Sequence, residues 1–187
     1  MCYYMAPASI FVLATLVVTT MLTIGCGSER TQAPQAVQLA AQAAPVHSKF
    51  ATEAPSAVSR ENAVMTKACS ADKINDSEPA ELVKIDKATP LKISGWAVDD
   101  LAGSVPGEIY VELVPASGAA RYYARAARLT KRPDVAKAHN NPVFEDSGYD
   151  LDGDLEAVPA GAYSVFVAEP VAAGVILCDT RRKIEIK

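Results

Sequence analysis

Apolar and polar residues alternate with a period of two through most of the second half of the chain. Residues 91–100 begin with Leu91 and Ile93 on one face and Lys92 and Ser94 on the other, and they carry the only tryptophan, Trp96. They end at an acidic loop, 99–107, that contains glycine and proline. Residues 108–114 repeat the alternation, with Ile109, Val111 and Leu113 on one side. This periodicity marks half-buried strands. A turn at 115–118 leads into a return strand at 121–126, which makes a hairpin with its arginines on the wet face. Residues 147–152, 162–168, 175–178 and 183–186 read as further strands, and 81–85 as a weaker one.

The alternation breaks at 131–140, where a short helix is expected. Pro133 suits the first helical position, Asp134 the positive end, Lys137 and His139 the negative end, and Asn140 the stop. About eight strands with turn signals every 8–12 residues predict an all-β fold, an antiparallel sandwich or barrel. No helical pattern of 10–15 residues alternates with them, which disfavours a parallel α/β sheet.

The first third of the chain behaves differently. Residues 10–24 are a continuous apolar run ending at Gly25-Cys26-Gly27. Some 20 residues are needed to span a bilayer, so this length matches the apolar core of a signal peptide. Residues 22–26 resemble a bacterial lipoprotein processing site, which implies that Cys26 is lipidated and becomes the mature N-terminus. Thr23 stands where leucine is usual, and no Lys or Arg precedes the run. The competing reading is an uncleaved anchor reaching back to about Met5. Both readings place the remainder outside the cytoplasm. Gly27 after the cysteine resembles outer-membrane sorting in a Gram-negative cell. Residues 26–65 are rich in Ala, Gln, Pro, Ser and Thr without periodicity and are expected to form a disordered tether, His47 included. The expected organisation is therefore a signal peptide at 1–25, a lipidated cysteine and tether at 26–65, and one folded domain at 66–187.

Export changes the meaning of the cysteines. Once Cys2 leaves and Cys26 carries lipid, Cys69 and Cys178 remain, one near each end of the domain, and are expected to pair in an oxidising compartment. With 187 residues and a formal charge of −4, the chain shows no basic stripe for nucleic acid.

The order Gly95-Trp96-Ala97-Val98-Asp99, a strand pair, Arg132-Pro133-Asp134-Val135-Ala136, Gly148-Tyr149 and Pro159-Ala160-Gly161-Ala162-Tyr163 resembles an Ig-like β-sandwich module of bacterial envelope proteins. Such modules also sit beside some glycosyltransferases. The resemblance spans roughly residues 75–187 and implies a sandwich of 7–8 strands with a short helix in a crossover. It also implies an accessory, non-catalytic role. The chain departs from the pattern in carrying the module alone on a tether, with a candidate disulfide and no enzyme domain.

Candidate chemistry is sparse. The domain has one histidine, His139, and a hydrolytic triad would need it beside a nucleophile and a carboxylate. Two distant cysteines and one histidine do not make a zinc site. The acids of 150–156 lack the glycine and glutamate spacing of a calcium loop, so neither metal nor cofactor is expected. Trp96 is expected in the core. Tyr110, Tyr122 and Tyr123, with Arg125 and Arg128, are the candidates for an exposed binding patch, and Tyr149 could join them. Lys131 and Arg132 extend the basic cluster, with Arg132 and Asp134 expected to fix the crossover. The expected function is a non-catalytic envelope lipoprotein held to the membrane by its lipid and presenting an interaction or structural module. The alternatives are a carbohydrate- or peptidoglycan-binding module, or an inhibitor or chaperone of an envelope enzyme. Partners would be an envelope protein or a polysaccharide.

Overall fold

The computed structural model describes residues 47–58, 60–77, 82–118 and 120–187. The expected signal peptide, Cys26 and the first part of the tether lie outside the described residues. Within them run β1 (His47–Lys49), β2 (Ala63–Thr66), β3 (Cys69–Ile74), β4 (Leu82–Ile85), β5 (Leu91–Ala97), β6 (Ile109–Pro115) and β7 (Tyr122–Ala126). Then follow helix α1 (Pro133–Ala138), a 3-10 turn (Pro142–Asp146), β8 (Gly148–Asp154), β9 (Gly161–Val171) and β10 (Gly174–Ile186).

The strands form an all-β sandwich of two sheets. One has four strands in the order β1-β8-β5-β3. The other has six, in the order β2-β10-β9-β6-β7, with β4 also paired to β10. Most pairings are antiparallel, as the alternation implies, but β1 on β8, β2 on β10 and β4 on β10 are parallel, so both sheets are mixed. Ten strands stand against about eight expected: β1, β2 and β3 are added from stretches with weak apolar patterning, while the runs 175–178 and 183–186 merge into the 13-residue β10.

β10 stays continuous through an irregularity where the register slips between Asp179 and Arg182. Arg181 takes a positive φ of 60° there, and the Thr180 hydroxyl donates to the Val165 carbonyl at 2.6 Å. The kink divides the outer edge of β10, so that β2 lies along residues 175–178 and β4 along 183–186.

The core lies between the sheets. Leu91, Ile93 and Ala97 of β5 and Tyr149 and Leu151 of β8 meet Ile109, Val111 and Leu113 of β6, Val165 and Val167 of β9, and Ile184 and Ile186 of β10. These are the alternate positions the sequence assigns to one face of each strand. Tyr149 is wholly buried and donates its hydroxyl to the Ser70 carbonyl at 3.1 Å, which satisfies the one polar atom it carries inward. Cys69 on β3 and Cys178 on β10 form a disulfide across the two sheets, with 6.2 Å between their Cα atoms.

Residues 47–65, assigned by composition to the tether, belong instead to the folded body. β1 pairs with β8, and His47, expected to be free in solvent, donates from Nδ1 to the Asp152 carboxylate at 3.0 Å. Phe50 is 2% exposed and enters the core over Gly153, where a Cβ would meet its ring at 2.7 Å. Residues beyond it cover the outer face of the six-stranded sheet, burying Val58 against Tyr123, Ala168, Val175 and Leu177. A few well-placed side chains thus suffice to order a segment whose average composition is polar.

Trp96 is also placed differently from expectation. Inward positions on β5 fall on odd residues, so Gly95 and Ala97 face the core and Trp96 faces outward. It is half-buried beneath the helical insertion, in a satellite cluster with Ala68, Val98, Val135 and Phe144. α1 has the Pro133 start and Asp134 first turn read from the sequence, and Asn140 ends it at a φ of 50°.

Candidate ligand-binding groove

The anticipated patch of tyrosines and arginines does not exist as one surface. Tyr122 points into the core, while Tyr123 is 6% exposed and Tyr110 half-buried on the opposite face of the six-stranded sheet. Arg125 is exposed and pairs with Glu108 at 3.1 Å. Arg128 is interior. Successive residues of a strand project to opposite faces, so sequence neighbours such as Tyr122 and Tyr123 could not share a surface.

Most buried charge serves the architecture. Glu112, fully buried on β6, receives Arg60 at 2.5 Å and Arg121 at 2.8 Å, and so fastens the covering segment to the sheet. Arg132 joins Asp72 at 2.6 Å and Asp134 at 2.7 Å, tying the start of α1 to β3. This fixes the crossover as the sequence implied. The Arg132 hydrogen bonds hold the Asp134 carboxyl down to about 2. Arg128 donates to the carbonyls of Pro106 at 3.2 Å, Ala97 at 3.0 Å and Ser147 at 2.5 Å, and pairs with Glu169 of β9. Burial pushes Glu169 up to about 7, against the attraction of Arg128 and with help from the negative charges of Asp99 and Asp100.

The outer face of the four-stranded sheet is different. The outward positions of β5 and β8, with the end of β3, line an open groove of about 400 Å³. Lys92 lies opposite Asp152, and Ser94 opposite both Asp150 and Lys73. Two basic side chains, with Asp76 just past the end of β3, therefore occupy the β3–β5 side and two acidic ones the β8 side. Leu129, 45% exposed, supplies an apolar wall. The neighbouring Thr130 hydroxyl donates to Asp150 at 2.6 Å, and His47 holds Asp152. Both carboxylates are thus fixed in position without a cationic neutraliser inside the groove. The ammonium groups of Lys73 and Lys92 make no hydrogen bond or ion pair with any described residue. The acids are legible in the sequence as water-facing positions of a strand. Lys92 is legible in the same way; Lys73 is not, because the pairing of β3 with β5 is what brings it alongside.

His139 does not approach a nucleophile–carboxylate pair. Its ring meets Trp96 edge-on at 5.6 Å and Phe144 at 5.4 Å. Among the described residues no group of three or more His, Cys, Asp or Glu is placed to hold a metal ion. No known protein family, curated protein or solved structure matches the chain.

Proposed function

We propose that this protein is a non-catalytic envelope lipoprotein whose Ig-like sandwich acts as an interaction module, with the groove on the four-stranded sheet as its binding surface. One observation carries this reading. The buried ionic groups are tied to structural partners, whereas the groove sets two lysines that have no partner among the described residues against two positioned carboxylates on the sheet. Affinity capture of the full-length protein from an envelope extract, with a photo-crosslinker at Ser94 or at Arg121, tests it. Crosslinks from Ser94 and not from Arg121 support the groove, and the reverse pattern overturns it. The anchor is tested separately: Cys26→Ser is expected to abolish incorporation of labelled fatty acid, and continued labelling overturns the lipid.

A second reading, docking against an envelope enzyme, is favoured by Leu101, 80% exposed, and Met65, 59% exposed, which flank a depression beside the 99–107 loop. A carbohydrate surface built from the tyrosines loses its basis, since Tyr122, Tyr123 and Tyr149 are buried.

A further inference from the structure

We propose that the groove takes a small zwitterion of dipeptide length, with its ammonium toward Asp150 and Asp152 and its carboxylate toward Lys73 and Lys92. The inference rests on the groove being the binding surface and adds the class of ligand. Two features of the sheet lead to it.

The first is that opposite charges face each other without pairing. Lys92 and Asp152 are register partners on adjacent strands, an arrangement that ordinarily invites a cross-strand ion pair. Yet Asp152 is engaged by His47 and the Lys92 ammonium by no described residue. Likewise Asp150 is held by Thr130, and Lys73 has no partner among the described residues. The groove thus keeps separated charges available, and a ligand with one charge of each sign complements both sides at once. A purely anionic ligand would gain the lysines but meet Asp150, Asp152 and Asp76. A purely cationic one would meet the lysines.

The second is the spacing. Neighbouring strands lie about 4.8 Å apart, so the two charge columns, one or two strands from each other, are separated by roughly 5–10 Å. A free amino acid carries its charges too close together for that gap. An extended dipeptide spans about 7 Å between its ends. Ser94, on β5 between Lys73 of β3 and Asp150 of β8, is placed to bond the central amide, and Leu129 offers apolar contact to one side chain.

The test is titration of the isotope-labelled full chain with alanyl-alanine, followed by backbone amide shifts. Its N-acetylated and C-amidated forms are titrated in parallel. Shifts at Ser94, Asp150 and Leu151, with an affinity in the roughly millimolar range, are expected. Each blocked form is expected to bind about tenfold more weakly, since each loses one charge-assisted contact. Lys73→Ala and Lys92→Ala are exposed-site changes and should each weaken the free dipeptide about tenfold without altering the thermal transition. Asp150→Asn should do the same, and because Asp150 also receives Thr130, the lysine variants keep the test decisive if that variant loosens the loop. Absence of groove shifts, or equal binding of free and blocked forms, overturns the ligand class. If Ser94 still crosslinks to an envelope partner in that case, the binding-surface reading stands and only the zwitterion falls.

Discussion

Arg128 and Glu169 meet at the end of the sandwich, the arginine reaching from beyond β7 to a glutamate that β9 turns inward beside Val167. Their pairing is unequal. Arg128 has three carbonyl partners besides the carboxylate, while Oε2 of Glu169 is buried with no partner among the described residues. Burial dominates, and the carboxyl rises from its ordinary value of 4.5 to about 7.

That rise has a sign for stability. The folded state holds the Glu169 proton more tightly than the unfolded state. Its stabilising effect is therefore complete below about pH 4.5 and is lost as pH climbs through about 7. A shift of that size corresponds to about 3 kcal/mol. Glu169→Gln keeps the shape without the ionisation. It should match the parent protein near pH 4.5 and exceed it near pH 8 by up to about that amount. Urea unfolding at the two pH values measures the difference; a variant less stable than the parent at pH 8 would show that the ion pair is a net stabiliser.

The disulfide gives the second prediction. Cys69 and Cys178 join the first residue of the edge strand β3 to the long β10, with a sequence separation of 109 residues. Constraint of the unfolded chain on that scale is worth about 4–5 kcal/mol in the loop-entropy description. Reduction, or the paired change Cys69→Ala and Cys178→Ala, should lower the urea midpoint by a corresponding amount. Equal midpoints with and without reductant would mean the crosslink adds nothing to the fold.

Glu112 gives the third. Its carboxylate gathers Arg60 from the covering segment and Arg121 from the entry to β7. Glu112→Ala leaves two arginines facing each other around a buried site. Because each arginine keeps about a third of its side chain in solvent, the expected loss is about 2–3 kcal/mol, below that of a wholly buried pair. Faster hydrogen exchange should appear first at residues 51–58, since Arg60 is their electrostatic tie to the sheet. Uniform destabilisation without a local change there would contradict this.

How much of this was readable beforehand follows from the physics of each element. The alternation of β5 and β6 is legible at Leu91, Ile93, Ile109, Val111 and Leu113, and these residues do face the core. The α1 boundaries carry their own chemistry in Pro133, Asp134 and Asn140. The pairing of Cys69 with Cys178 followed from export and from the count of remaining cysteines. β1 and the covering segment were hidden because Phe50 and Val58 are isolated apolar residues whose partners lie about a hundred positions away. Residue type alone sends Trp96 to the core, whereas parity counted from Leu91 and Ile93 puts it outside. The groove lies beyond sequence reasoning for a related reason. Its lysines and acids come from three strands, and only the order β8-β5-β3 aligns them.

The glycines flanking Trp96 in space give the last prediction. Gly95 faces inward on β5, where a Cβ would stand 2.0 Å from the Ser70 carbonyl oxygen and 2.9 Å from the Tyr149 hydroxyl. Gly148 on β8 is as tight, with the Thr130 carbonyl oxygen at 2.2 Å. Both obstacles are backbone atoms, held in place by strand pairing in one case and by the crossing segment in the other, so neither can yield as a side-chain tip would. Gly95→Ala and Gly148→Ala should therefore each cost about 3 kcal/mol or more, as overpacking against rigid neighbours does. Gly95→Ala should in addition break the bond from Tyr149 to Ser70. Gly107 is the internal control, since nothing lies within 4 Å of its would-be Cβ and its φ is not positive. Gly107→Ala should leave the thermal midpoint almost unchanged, or raise it slightly by narrowing the unfolded ensemble. If all three variants shifted stability alike, close packing at Gly95 and Gly148 would not be the reason those positions carry glycine.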